Sequence, residues 1–307
     1  MERDVDVSVV LPIFNEIGHL RQEINRIQAA LDASTYAYEI IAVDDGSTDG
    51  SAEELASIEG LRLIQMGRNS GSGASRRIGT HAARGRVVVW TDVDMTYPND
   101  DIPRLVKELE GYDQVVGARE SEEGTAKALR VPAKWVIRKL AAYLSETPIP
   151  DLNSGFRAFR RDVGRQFLEQ LPSGFSCVTT MTMTFLANGY SVKYVPIEYH
   201  ERAGHSKFHP WQDTKRYLTQ VIRMVLSYNP LRVFLPGAFL LLGLGLAKLG
   251  LDWTERDFRL AANTLLILFA GFQMLAIGLL ADLVVRTSRP AELADPAAIR
   301  RSDRIGT

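Results

Sequence analysis

Two acidic pairs are the residues best suited to chemistry: Asp92-Val93-Asp94 and Asp44-Asp45. Carboxylates at alternate positions just past a strand present hard oxygens that can hold Mg²⁺ or Mn²⁺, and through the ion a diphosphate. The apolar run Val87-Val88-Val89-Trp90, directly before Asp92, supplies such a strand. The plain alternative for this spacing is a solvated turn. Asp44-Asp45-Gly46-Ser47 ends a second apolar run, Glu39–Val43. A carboxylate there can accept hydrogen bonds from a base or ribose. The same residues also read as a turn before a helix cap, a role that suits Ser47, Thr48 and Asp49.

The segments that must position these pairs alternate between strand and helix. Val7–Ile13, Glu39–Val43, Leu61–Met66, Arg86–Thr91, Asp113–Gly117 and Ser191–Ile197 read as strands. Amphipathic or polar stretches between them read as helices: Asn15 to Leu31, Ser51–Ile58, Gly71–Arg84 and Asp101–Leu109. Val178–Ala187 is apolar enough for a buried helix. This alternation predicts an α/β fold with a mostly parallel sheet flanked by helices. Ligands of such sheets sit beyond the carboxyl ends of the strands, where Asp44, Asp45, Asp92 and Asp94 fall. Residues 120–150 form a basic, helix-like insertion, and Asp151–Arg161 follows a Pro-Ile-Pro turn.

The C-terminal third differs in kind. Leu231–Leu251 and Leu260–Val285 are each long enough as helices to cross a hydrocarbon core of about 30 Å. Trp211–Tyr228 has apolar residues near helical spacing with Lys215, Arg216 and Arg223 interspersed, and reads as an amphipathic interfacial helix. Basic residues flank the apolar pair: Lys215, Arg216, Arg223 and, at its very start, Arg232 on one side, and Arg286, Arg289, Arg300, Arg301 and Arg304 on the other. By the positive-inside rule both termini are cytoplasmic, giving a multi-pass cell-membrane protein. The expected organisation is a cytosolic domain at 1–210, an interfacial helix at 211–229, a two-helix transmembrane hairpin at 230–286 and a cytoplasmic tail at 287–307.

Composition narrows the classes further. The 307 residues carry 36 basic and 37 acidic side chains, so no general nucleic-acid binding is implied. A single cysteine, Cys177, excludes an intramolecular disulfide, and beside Met181 and Met183 it reads as core packing. Mean hydropathy is only -0.07, so the apolar character is concentrated at one end. The charged N-terminus has no signal-peptide core, which keeps the first domain in the cytosol.

The motifs taken together resemble a known family. Val10-Leu11-Pro12-Ile13-Phe14-Asn15-Glu16, Val43-Asp44-Asp45-Gly46-Ser47-Thr48-Asp49-Gly50 and Asp92-Val93-Asp94 resemble the family 2 glycosyltransferases of GT-A fold. Asp151-Leu152-Asn153-Ser154-Gly155-Phe156-Arg157 and Arg202-Ala203-Gly204-His205-Ser206-Lys207 resemble the polyprenyl-phosphate group within it. That group includes dolichol-phosphate mannosyltransferase and bacterial undecaprenyl-phosphate sugar transferases. The resemblance spans roughly residues 7–210, and the apolar hairpin fits the membrane-anchored members. Where many relatives have a Lys, this chain has Ser72; Arg76 and Arg77 are the nearby substitutes.

The resemblance implies transfer of a sugar from a UDP- or GDP-linked donor to a polyprenyl phosphate, with Mg²⁺ or Mn²⁺ and with inversion. Pro12, Asn15, Glu16, Asp44 and Asp45 would border the nucleotide. Asp92 would contact nucleotide or metal, and Asp94 would be the main metal ligand. Asp151 would sit by the sugar or acceptor phosphate, and Arg202 and Lys207 would bind the diphosphate. Arg119, Lys134, Arg138 and Ser206 would receive the acceptor phosphate. The catalytic set is then Asp94, Asp151 and Arg202. A homo-oligomer is a further implication of the membrane-anchored relatives.

Other readings fit less well. A dinucleotide fingerprint at Gly71-Ser72-Gly73 would need Gly or Ala at Arg76 and a place after the first strand. His200, His205 and His209 lack the helical spacing of a zinc hydrolase. A processive polysaccharide synthase would carry a QxxRW-like motif and more spanning helices. A transferase with a soluble or glycan acceptor, and a non-catalytic membrane scaffold, stand as the alternatives.

Overall fold

The expected strands form because their apolar runs can be covered on both faces. In a computed structural model, which describes residues 5–119, 149–174, 176–199, 230–255 and 261–287, seven strands form one sheet. They are β1 (Val7–Ile13), β2 (Tyr38–Asp44), β3 (Leu61–Gln65), β4 (Val87–Trp90), β5 (Gln114–Arg119), β6 (Arg157–Arg160) and β7 (Val192–Ile197). Their order is β3-β2-β1-β4-β6-β5-β7. β1 pairs in parallel with β2 and β4, β2 with β3, and β5 with β7. β6 runs antiparallel between β4 and β5.

Among the described residues the α-helices that accompany this sheet are α1 (Leu20–Asp32), α2 (Ser51–Ala56), α3 (Ser72–Ala82), α4 (Ile102–Lys107), α5 (Arg161–Arg165) and α6 (Cys177–Ala187). Leu20, Ile24, Ile27 and Leu31 of α1 recur at helical spacing and join Val7, Val9, Leu11 and Ile13 in one core. On α3, Gly79 lies so close to Val10 that an added Cβ would overlap that side chain. Pro12 lies beyond Val10, the last β1 residue paired to β4, where β1 has a single neighbour and a missing N–H is tolerated.

Two features differ from the sequence reading. Helix α1 begins at Leu20 rather than Asn15, because Asn15 (φ 53°) and Gly18 (φ 98°) turn the intervening chain into a loop. The segment after Asp151 contains β6, whose Arg157 and Arg160 disguised a strand. With β6 reversed, the sheet is mixed although its majority is parallel.

The chain divides into two units, Met1–Tyr217 and Leu218–Thr307. The second holds α7 (Pro230–Glu255) and α8 (Ala262–Thr287), both long and apolar enough to cross a membrane. They pack through glycines: a Cβ at Gly245 would press on Leu268, at Gly271 on Leu242, and at Gly278 on Phe234. Phe239, Leu240, Leu266, Phe269 and Leu280 are exposed, as suits lipid contact. Near the turn, buried Asp252 accepts from the Thr264 hydroxyl and pairs with Lys248 at 3.6 Å. The basic insertion and the expected interfacial helix lie outside the described residues.

Candidate active site

The DxD segment is a short turn braced from behind. Val93 turns into the core, 1% exposed, while Asp94 is 8% exposed and the Asp92 side chain keeps 31% of its accessibility. Met95 then adopts a left-handed conformation (φ 65°), a costly state for a non-glycine residue at the end of such a turn. The Thr96 hydroxyl donates to Asp94 Oδ1 at 2.6 Å. Behind the turn, buried Asn99 accepts from the Thr91 hydroxyl at 2.5 Å, and its Nδ2 donates to Asp92 O at 3.1 Å and Glu23 Oε1 at 2.7 Å. Burial pushes the Glu23 carboxyl up, the Asn99 hydrogen bond opposing it.

Asp92 is paired to Arg76 of α3. Arg76 Nη2 lies 2.6 Å from Asp92 Oδ1, and the guanidinium sits 5.8 Å from the centroid of the Trp90 ring. Trp90 Nε1 donates to Thr80 Oγ1 at 2.9 Å, tying α3 to β4. Of the nearby substitutes for the missing Lys, then, Arg76 is buried against Asp92. The Gly71-Ser72-Gly73 segment does not cradle a ligand through its amides. The N–H groups of Gly73 and Ala74 both donate to Ser173 O, at 2.7 and 3.2 Å, satisfying orphan donors of the helix start. An added Cβ at Gly73 would overlap the Pro172 carbonyl, so glycine is required for that close approach.

The loops after β1 and β2 interlock. Asn15 Oδ1 accepts from Thr48 N at 2.8 Å, and Asn15 N donates to Ser47 Oγ at 2.9 Å. Glu16 N donates to Ser51 Oγ at 3.1 Å. Asp44 Oδ1 accepts from Ser47 N at 3.1 Å. The Asp45 carboxylate takes the N–H of Ser70 and of Gly71, each at 2.7 Å, so it clamps the loop after β3. Gly46, at φ 74°, would place a Cβ 2.9 Å from the Arg68 carbonyl carbon, so glycine is needed here too. Asp49 accepts from Ser51 N and Oγ, the turn role its position suggested.

Asp151 lies in a loop that meets the DxD turn. Arg119, ending β5, grips Asp151 with Nε and Nη2 at 2.6 and 3.0 Å. Burial raises the Asp151 carboxyl, but the Arg119 hydrogen bonds and charge outweigh it and hold the group below the ordinary aspartate value. Arg119 also lies 5.1 Å from the Tyr199 ring centroid. Further along the loop, Gly155 N donates to the Tyr97 hydroxyl at 2.8 Å. A Cβ on Gly155 would stand 3.0 Å from Asp92 Oδ2, 3.1 Å from Arg76 Nη2 and 3.3 Å from Tyr97 Oη. The two loops therefore close on each other at Gly155. Burial, with Asp92 nearby, pushes the Tyr97 phenol up and keeps it protonated.

The structure thus gathers Asp92, Asp94, Asp151 and Arg119 at one end of the sheet, with Pro12, Asn15, Glu16, Asp44 and Asp45 at the ends of β1 and β2. Lys134, Arg138, Arg202, Ser206 and Lys207 lie outside the described residues. Glu23, Asn99, Tyr97 and Arg157 were not singled out by sequence reasoning. Glu23 left one signal, a carboxylate on the otherwise apolar face of α1.

Comparison with known proteins identifies the family. The family described as Glycosyl transferase family 2 matches residues 8–168. The chain belongs to that family. This family 2 chain is a glycosyltransferase, and its residues 229–287 match the GtrB C-terminal hairpin. The transferase is 33% identical over 305 residues to undecaprenyl-phosphate 4-deoxy-4-formamido-L-arabinose transferase of Pseudomonas aeruginosa, covering 91% of this chain and 85% of that one. It is 27% identical to dodecaprenyl-phosphate galacturonate synthase of Rhizobium johnstonii, covering 93% and 89%. Glucosyl-3-phosphoglycerate synthase of Mycobacterium tuberculosis, solved with Mn²⁺, UDP and phosphoglyceric acid, shares the fold at TM-score 0.57 and 23% identity over 73% and 78% of the chains.

Proposed function

We propose that this glycosyltransferase moves a sugar from an NDP-sugar to a polyprenyl phosphate. The observation that carries this reading is one chain holding both a family 2 domain and a GtrB-type hairpin, with curated relatives named for undecaprenyl- and dodecaprenyl-phosphate acceptors. The hairpin anchors the enzyme in the cell membrane with both termini cytoplasmic, where soluble donor and lipid acceptor meet. The domain boundary follows the composition, with the soluble domain ending near residue 210.

Asp92 and Asp94 fit a hard divalent cation, Mg²⁺ or Mn²⁺. Asp94 would be the main ligand, because one oxygen of Asp92 is engaged by Arg76. Among the described residues no cluster of three or more acidic, His or Cys side chains forms a metal cage. When bound, the ion neutralises charge on the departing diphosphate. Asn15, Glu16 and Asp44 border the nucleotide, and Asp45 fixes the loop that closes its far side.

The acceptor phosphate is already anionic and needs no strong base. Its oxygen attacks the anomeric carbon as the bond to the diphosphate breaks, and the electron pair leaves with the NDP. Direct displacement inverts the anomeric centre. Asp151, tied to Arg119, orients sugar or acceptor; its lowered pKa makes it a poor base. Arg119, Lys134, Arg138 and Ser206 serve the acceptor phosphate, and Arg202 and Lys207 the diphosphate.

The test is transfer by purified protein in detergent, with Mn²⁺ or Mg²⁺, undecaprenyl phosphate and labelled UDP- and GDP-sugars. Label entering the organic phase from one donor, and abolished by EDTA, is the expected result. Donor turnover onto water or a soluble glycan, with no lipid label, contradicts it.

A further inference from the structure

Arg157 is 0% exposed, yet among the described residues no carboxylate pairs with it. Its guanidinium is satisfied by neutral acceptors alone. Nε donates to Ser154 O at 3.2 Å, and Nη2 donates to the same carbonyl. Nη1 reaches across to α6, donating to Val178 O at 2.7 Å and Thr182 Oγ1 at 2.9 Å. A cation taken fully out of water without a counter-charge is costly, and a pair of apolar side chains would fill the same space without that cost. Burial, with repulsion from Arg76 adding to it, lowers the Arg157 pKa to about 10, so the residue stays charged at neutral pH. Such an arrangement calls for a role that packing alone does not supply.

The geometry gives one. The fork of Arg157 holds the Ser154 carbonyl with two N–H groups, and the other arm is fixed to α6. Ser154 is the next-to-last residue of the loop that begins with Asp151 and ends at Gly155. Asn153 N donates to Asp151 Oδ1 at 2.9 Å, and Thr179 Oγ1 of α6 donates to Asn153 Oδ1 at 2.8 Å. Gly155 in turn abuts Asp92, Arg76 and Tyr97. The loop is thereby held by Arg119 at its start, and by Arg157 at Ser154 and the DxD turn at Gly155 near its end.

We propose that Arg157 is a positioning residue that sets the Asp151–Gly155 loop, and through it the Asp151 carboxylate, relative to the DxD turn. It acts through the loop backbone and touches no reacting atom. Lysine cannot replace it, because a single ammonium lacks the planar fork that spans Ser154 O and the two acceptors on α6. The proposal rests on the lipid-transfer reading, since the consequence it names is a loss of transfer.

The test is a double-mutant cycle on the full-length protein in detergent, using Arg157→Lys, Asp151→Asn and the combination, with melting temperature, NDP affinity, kcat and acceptor KM as readouts. For Arg157→Lys the expected result is a fall in kcat of about 10-fold or more, with NDP affinity within about 2-fold of wild type. The combined variant is expected to be no slower than Asp151→Asn alone, because both changes disable one device. Independent, multiplicative losses overturn the proposal, as does unchanged kcat in a folded Arg157→Lys protein. Equal loss of NDP binding and transfer also overturns it, since that is the mark of general structural damage. If Arg157→Lys does not fold, Thr182→Val decides: it removes one acceptor and keeps the charge. A kcat lowered about 3-fold with unchanged melting supports the role, and unchanged kcat overturns it. A wild-type protein that labels no lipid removes the reading beneath the proposal, whereas an active wild type with additive losses removes the positioning role alone.

Discussion

Arg76 Nη2 and Asp92 Oδ1 stand 2.6 Å apart, so the first carboxylate of the DxD turn is held from within the protein. Arg76 is 3% exposed while the Asp92 side chain retains 31% of its accessibility, so the pair has a dry side and a wet side. The dry side fixes the carboxylate; the wet side leaves Asp92 Oδ2 facing Gly155. Arg76→Met removes the fixed counter-charge. The expected cost is about 3 kcal/mol of stability, at the low end for a buried pair because Asp92 can rehydrate. Transfer should fall at least tenfold, measured with melting temperature on the same preparation. Wild-type kcat in Arg76→Met would show that Asp92 needs no such support.

Gly155→Ala tests the closure of the two loops. Its Cβ would meet Asp92, Arg76 and Tyr97 at 3.0 to 3.3 Å, tighter than ordinary contact. A few tenths of an ångström of displacement should cost about 1–2 kcal/mol in stability. At a site that aligns two anions, the same displacement should reduce kcat about tenfold or more. Steady-state kinetics beside a thermal melt separates these effects, and a melt shift without a kinetic change would contradict the account.

Asn99→Ala removes the brace behind the DxD turn. Thr91, Glu23 and the Asp92 carbonyl each lose a hydrogen bond, and Glu23 becomes a more isolated buried carboxyl. Destabilisation of about 1–3 kcal/mol is expected. Mn²⁺ affinity, titrated by electron paramagnetic resonance in the presence of UDP, should weaken several-fold. Unchanged Mn²⁺ affinity would sever the link between the brace and the metal site.

The Arg119–Asp151 pair predicts an acid-labile contribution to stability. The folded-state pKa of Asp151 lies below its ordinary value of 3.8: burial raises it, and the Arg119 contacts lower it by more. A depressed carboxyl stabilises fully above its unfolded pKa and loses that stabilisation as pH falls through the folded value. Wild-type melting should therefore drop as pH falls below about 4, and Arg119→Met should flatten that limb while lowering stability at neutral pH. Parallel melting curves for the two proteins across this range would refute the assignment. Near neutral pH Asp151 stays ionised, so the pH profile of kcat in Asp151→Asn should keep its wild-type shape.

Much of the fold was legible because β1, β2 and β4 are nearly continuous apolar runs. The register that places Asp44 opposite Ile13 follows from β1 and β2 sharing one buried face. The DxD turn was legible from its place just past the apolar run of β4, with Val93 buried between its two carboxylates. β6 was not, because Arg157 and Arg160 contradict the composition of a buried strand, and the carbonyls of Ser154 and Val178 with the Thr182 hydroxyl make Arg157 tolerable there. The close approach of Gly71-Ser72-Gly73 to Ser173 was not legible, because Ser173 lies far along the chain. Asn99 and Tyr97 act through contacts that no local spacing encodes. The hairpin was read from length and composition, whereas its glycine contacts emerge only when α7 and α8 are set side by side.

The most direct measurement is the chemical identity of both products from one reaction of purified enzyme, undecaprenyl phosphate and its best NDP-sugar. Mass spectrometry of the lipid and chromatography of the nucleotide read them together. The account predicts a lipid heavier by one sugar residue with a single phosphate between lipid and sugar, and release of one equivalent of NDP. Release of NMP with a diphosphate-linked lipid, or NDP release without any change in the lipid, would contradict it.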